Sequence, residues 1–168
     1  RGALDLRADA PDAALRHFRL AIERGHDQEA LDGFVRAVAD ARALDQAESF
    51  LRGRGDLTTD PALLRALSRV VAAQGRTDEA AQLAQRAAAL APRDRLVLEW
   101  FVDMLGATAN DTALTQLAGL LASTGPTDPT TLYARLKLAE LTRDAEQTAT
   151  LAQALLAGRP ADPDLWNT

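Results

Sequence analysis

The stretch GRTDEAAQLAQRAAALAP, residues 75–92, decides how the rest of the chain is read. Gly75 supplies a turn, and Thr77 is placed to cap a helix whose first turn carries Asp78 and Glu79, where carboxylates favour the helix dipole. Small residues follow at Ala80, Ala84, Ala87 and Ala91, with Leu83 and Leu90 beside them on one helical face. Pro92 stops the helix. An alanine seam lets a neighbouring helix approach closely but holds too little apolar bulk to make a core alone. The stretch therefore predicts copies of itself.

The copies are found by spacing. Asp60, Asp94, Asp128 and Asp162 stand at steps of 34 residues, and Asp27 lies 33 before Asp60. Three of them open an Asp-Pro pair, at Pro61, Pro129 and Pro163, a cap followed by the residue best suited to the first helical position. A second ladder runs through Ala14, Ala47, Ala80 and Ala113, each 33 apart. Two ladders of nearly one period predict a repeat of helix A, turn, helix B, turn.

The pattern places helix A over 28–41, 61–74, 95–106 and 129–142, and helix B over 11–24, 45–53, 77–91, 111–123 and 144–157. Residues 1–8 read as the tail of a first helix A, and 163–168 as the start of one more. The expectation is one repeat domain over 1–168, in units 1–26, 27–59, 60–93, 94–127 and 128–161 with a further unit begun at 162. Apolar residues fall four, seven, eight and eleven places after each cap, as Leu31, Phe34, Val35 and Val38, then Leu64, Leu67, Ser68 and Val71, then Leu98, Phe101, Val102 and Leu105. That spacing makes one stripe per helix.

These marks resemble tetratricopeptide (TPR) repeats across essentially the whole chain. Ala14, Phe18 and Ala21 in the first unit and Gly75, Ala80, Ala87 and Pro92 in the third carry the likeness. The resemblance implies an all-α fold, a right-handed superhelix or α-solenoid of about five helical hairpins, truncated at both ends and cut from a larger protein. Sel1-like and pentatricopeptide arrays share the hairpin plan; the latter would read RNA, which the acidic charge disfavours. Departures fall in the later units. One residue is missing between Leu105 and Ala113, Thr148 stands where the alanine ladder would continue, and Arg135 interrupts an apolar position. The large aromatic expected early in helix A appears only at Trp166.

Composition agrees with thin helical interfaces: alanine and leucine dominate while aromatics are 4%. A net charge of −5 speaks against a nucleic-acid surface. Cysteine is absent, which removes disulfides and thiolate chemistry, and no apolar run is long enough to span a membrane. Arg1 rather than Met opens the chain, so any targeting segment there is would lie outside it, and the compartment, cytoplasmic or periplasmic, stays open.

Nothing in the sequence supports catalysis, a cofactor or a metal. His17 and His26 are nine apart and would project to opposite sides of one helix; packing and C-terminal capping account for them. No phosphate-cradling glycine loop, zinc-binding helix motif or nucleophile elbow occurs. Trp100 faces away from the regular stripe of its helix, as a filler of the shortened unit or as a partner contact.

The positions five and nine places after each cap lie on the other face of helix A, which in TPR-like proteins lines the concave groove. They are Asp32 and Arg36, Arg65 and Arg69, Glu99 and Asp103, Tyr133 and Lys137. Each pair shares one side of its helix. One reading is a solvated face that neutralises itself, with Arg65 and Arg69 opposite Glu99 and Asp103. The other is a groove that binds a protein or peptide partner. A carboxylate clamp with Arg65 and Arg69 as its positive half lacks its carboxamides, because Asp32, Arg36 and Asp40 occupy the preceding helix. The function expected is a non-catalytic protein–protein interaction scaffold that holds a peptide or partner helix. The alternative is a structural spacer or assembly module of a bacterial envelope or exopolysaccharide export system. Homo-oligomerisation through the truncated ends is also compatible with the sequence.

Overall fold

A computed structural model gives the fold and describes residues 11–25, 28–41, 43–108, 111–123 and 129–157. Among these, nine helices form: α1 Pro11–Gly25, α2 Gln28–Ala41, α3 Leu44–Arg52, α4 Pro61–Ala73, α5 Thr77–Leu90, α6 Arg95–Thr108, α7 Asp111–Ala122, α8 Pro129–Leu141 and α9 Ala145–Ala157. Every helix expected in the described residues is present, with ends within two residues of the predicted ones. The helical tail over 1–8, the helix started at 163, His26 and Trp166 lie outside the described residues.

Local chemistry explains the starts and stops. Asp60 is extended at φ −105° and its side chain accepts from the N–H groups of Ala62 and Leu63 at 2.8 and 3.1 Å, with Pro61 opening α4. Asp94 does the same for Leu96 and Val97 at 2.9 and 3.1 Å. Both satisfy donors that a helix start leaves without partners. The end of α4 reverses through Gly75 at φ 82°: Gly75 N–H donates to Ala72 O and Arg76 N–H to Val71 O. A left-handed residue at this position suits glycine, which has no Cβ to clash.

Thr77 does not cap α5. The turn after α4 is so short that α5 begins at Thr77 itself, and the Arg76 carbonyl accepts the first helical bond, from Ala80 N–H at 3.0 Å. The capping position thus falls on Arg76.

The chain divides into two compact units, Arg1–Leu90 and Ala91–Thr168. In the first unit α2 packs on α1 and α4, α3 packs on α4, and α4 pairs most extensively with α5. The stripes of α2 and α4 are buried, and so are Ala80, Leu83, Ala84 and Ala87 of α5, the helix paired with α4. Ser68, the polar member of the α4 stripe, is fully buried and its hydroxyl donates to Ala80 O at 2.6 Å. In the second unit α8 packs on α6, α7 and α9. Leu98, Phe101, Val102 and Leu105 of α6 and Ala113, Leu117 and Leu121 of α7 are buried there. None of the residues of α9 is buried, and Leu156 is 61% exposed.

The departures from the repeat have local causes. The Arg135 guanidinium donates to Leu121 O in the last turn of α7, the end of a helix where carbonyls accept from outside the helix. Thr148 turns its hydroxyl to Asp144 O at 2.7 Å, so the residue serves its own helix.

Candidate partner-binding faces

The eight residues singled out on the A helices divide between the two units. Asp32 and Arg36 on α2 stand beside Arg65 and Arg69 on α4, because these helices pack side by side and the pairs occupy equivalent turns. Arg65 and Arg69 converge on one atom: their guanidiniums donate to Asp32 Oδ1 at 2.8 and 2.5 Å. The acidic neighbour they reach is thus one helix earlier in the chain, 33 and 37 residues away.

Burial separates these arginines. Arg65 is 5% exposed, whereas Arg69 and Asp32 are half-buried and Arg36 is exposed. Burial pushes the Arg69 pKa below its ordinary value; Asp32 opposes that shift, while the like charges of Arg65 and Arg36 add to it. Positive charge is concentrated here in a partly dehydrated setting.

In the second unit Glu99 and Asp103 lie on α6, and Tyr133 and Lys137 on α8. Glu99 lies 3.5 Å from Arg95 on its own helix. Burial raises the Asp103 pKa and the charge of Lys137 works against it, so these two side chains feel one another. Lys137 sits over the Tyr133 ring at 5.8 Å and bonds Glu140 at 2.8 Å; that hydrogen bond raises its pKa. Trp100 is half-buried on the same helix as Glu99.

A charged network that the sequence pattern does not announce joins α3 to α5. Glu48 accepts from Arg52 and Arg76, each at 2.7 Å, and Glu79 accepts from both arginines in turn. Gln74 donates to Asp45 at 3.0 Å beside it. Its members lie on B helices and in the turn before one, outside the ladder of A-helix positions. Among the described residues, no group of three His, Cys, Asp or Glu side chains is arranged to hold a metal ion. None of the described helices is long and apolar enough to cross a membrane.

No family model and no curated protein matches the sequence. Solved structures do. The chain superposes on a thermophilic TPR protein from Thermus thermophilus with a TM-score of 0.57 and 21% identity, over 98% of this chain and 91% of that one. It superposes on YrrB, a TPR protein with an unusual peptide-binding site, with a TM-score of 0.51 and 17% identity over 93% and 81%. It also superposes on MamA, with a TM-score of 0.55 and 15% identity over 92% and 90%. The chain has a TPR-like fold, all-α and built from helical hairpins.

Proposed function

We propose that the chain is a non-catalytic protein–protein interaction module which takes a peptide or partner helix on the polar faces of its A helices. One observation carries this reading. On α2, α4 and α6 the apolar stripe is buried, yet every residue of the ladder on the A helices except Arg65 keeps surface open to solvent. The likeness to YrrB, a TPR protein with a peptide-binding site, supports the same reading. A face held in place by its own ion pairs is ordered before a partner arrives, which lowers the entropy lost on binding. Arg65 serves this face by positioning Asp32 and Arg69, since its own side chain is largely covered.

Selection of peptides from a displayed library on the full chain tests the proposal. The selected peptides should lose affinity for Arg36→Glu or Lys137→Glu and keep it for Gln82→Glu, an exposed position on α5. Peptides indifferent to both ladder substitutions would place recognition elsewhere.

A further inference from the structure

Four charged side chains close a ring between α3 and the start of α5. Glu48 accepts from Arg52 and from Arg76, each at 2.7 Å. Arg52 also donates to Glu79 at 2.5 Å, and Arg76 Nε donates to the same carboxylate at 2.9 Å. Signs alternate around the ring, with two members on α3 and two where α5 opens. Arg76 is set in place by the reversal at Gly75, since its N–H donates to Val71 O and its carbonyl accepts from Ala80 N–H. Gln74 extends the ring by donating to Asp45 at 3.0 Å.

α3 depends on such a tie. It has nine residues, its start at Ala43 lacks a side-chain cap, and Ala47 and Leu51 are its buried members. α4, on which it packs, is buried along most of its length. The Phe50 ring adds a tilted contact to Phe34 of α2, centroids 5.4 Å apart, under the Arg19 guanidinium at 4.7 Å. The turn segment that follows α3 is held by its own bonds. Arg54 pairs with Asp56 at 3.0 Å, and the N–H groups of Thr59 and Asp60 donate to Asp56 O. It keeps its shape whether α3 is docked or not. A short helix with little buried surface opens at a lower free energy than the helices around it. Charge then decides how firmly it is held.

We propose that the ring is a latch: α3 opens from the Arg1–Leu90 unit as a separate piece, and ionic strength sets how often it does so. Opening parts the Phe50 ring from Phe34 and uncovers Leu51, while α4 and α5 stay paired. One isolated exposed ion pair would be too weak for this role. In the ring each ion holds two partners, and the Glu48 side chain is only 15% exposed. The latch stands whether or not the A-helix faces bind a partner.

The test is amide hydrogen exchange by NMR on the labelled full chain at one pH, with α4 amides as the internal reference. In the parent, α3 should exchange faster than α4. Raising NaCl from about 0.1 to about 1 M shortens the screening length from about 10 to about 3 Å, and α3 exchange should quicken about threefold or more while α4 holds. Glu48→Arg and Arg76→Glu should each speed α3 exchange about tenfold or more, since each sets like charges face to face. The double reversal Glu48→Arg with Arg76→Glu restores two charges of each sign across the joint, and its α3 exchange should return towards the parent's. A merely structural loss would not be rescued in this way. Exchange of α3 at the α4 rate, indifference to salt, or a double reversal as fast as the single ones would each overturn the proposal. Should a reversal fail to fold, Glu48→Gln decides the matter: it should exchange faster than the parent at low salt and respond less to added salt.

Discussion

Arg143 occupies, at φ 58°, the place in the helix-ending turn that Gly75 occupies at φ 82° two periods earlier. The hydrogen bonds match one for one: Arg143 N–H donates to Glu140 O and Asp144 N–H to Ala139 O, as Gly75 and Arg76 donate to Ala72 and Val71. An L side chain in this left-handed region crowds its own carbonyl. Arg143→Gly should therefore stabilise the chain by about 0.5–1 kcal/mol, and Gly75→Ala should cost about 1 kcal/mol. Thermal unfolding of the two variants checks both signs.

Asp32 holds two guanidiniums on one oxygen, and Arg65 is nearly covered. Asp32→Ala should lower stability by about 1.5–3 kcal/mol, because it leaves two arginines side by side in a partly dehydrated site. Urea unfolding of Asp32→Ala, Arg65→Ala and the double variant should show strong non-additivity, the mark of a shared contact. Additive losses would mean that the pair contributes nothing of its own.

Glu48 supplies a pH dependence. Burial opposes its ionisation, but the hydrogen bonds from Arg52, Arg76 and Gln74 outweigh it and hold the pKa at about 2, below the ordinary 4.5. A carboxyl whose folded pKa is depressed adds stability above its unfolded pKa and loses it as pH falls towards the folded value. The contribution should be whole above pH 4.5 and drain away down to about pH 2. Glu48→Gln should melt lower than the parent at neutral pH, and the gap should close across that window.

Arg135 donates to the last turn of α7. Arg135→Met keeps the bulk and removes the donor, so α7 should fray from its C-terminal end at a cost of about 1 kcal/mol. Amide hydrogen exchange in α7 should quicken while that in α4 stays unchanged. Equal protection in parent and variant would show that the bond is idle.

The fold is legible in the sequence because its signals are periodic. The aspartate caps, the apolar stripes of α2, α4 and α6, and the alanine ladder repeat at one interval, and each has a physical task in the structure. What escapes is aperiodic. Asp32 and Arg65 are 33 residues apart and meet only because α2 and α4 pack side by side, so a position that reads as ligand-facing is in fact buried. The Glu48–Arg76 bond joins a helix to a turn 28 residues later, and the Arg19–Phe50 stack joins two B-helix positions with no repeat between them. Thr77 misleads for a different reason: composition favours it as a cap, but the length of the preceding turn sets where a helix begins.

The bond from Ser68 to Ala80 O has one more consequence. Alanine surfaces have shallow relief, so ridges and grooves hold α4 against α5 only weakly along their axes. Sliding by one residue would keep most of the apolar contact. It would, however, break the buried bond from Ser68 to Ala80 O, which contributes about 0.5–1.5 kcal/mol. The one polar member of the stripe acts as a pin that fixes the axial setting of the hairpin. Ser68→Ala should therefore loosen that setting even where little heat stability is lost.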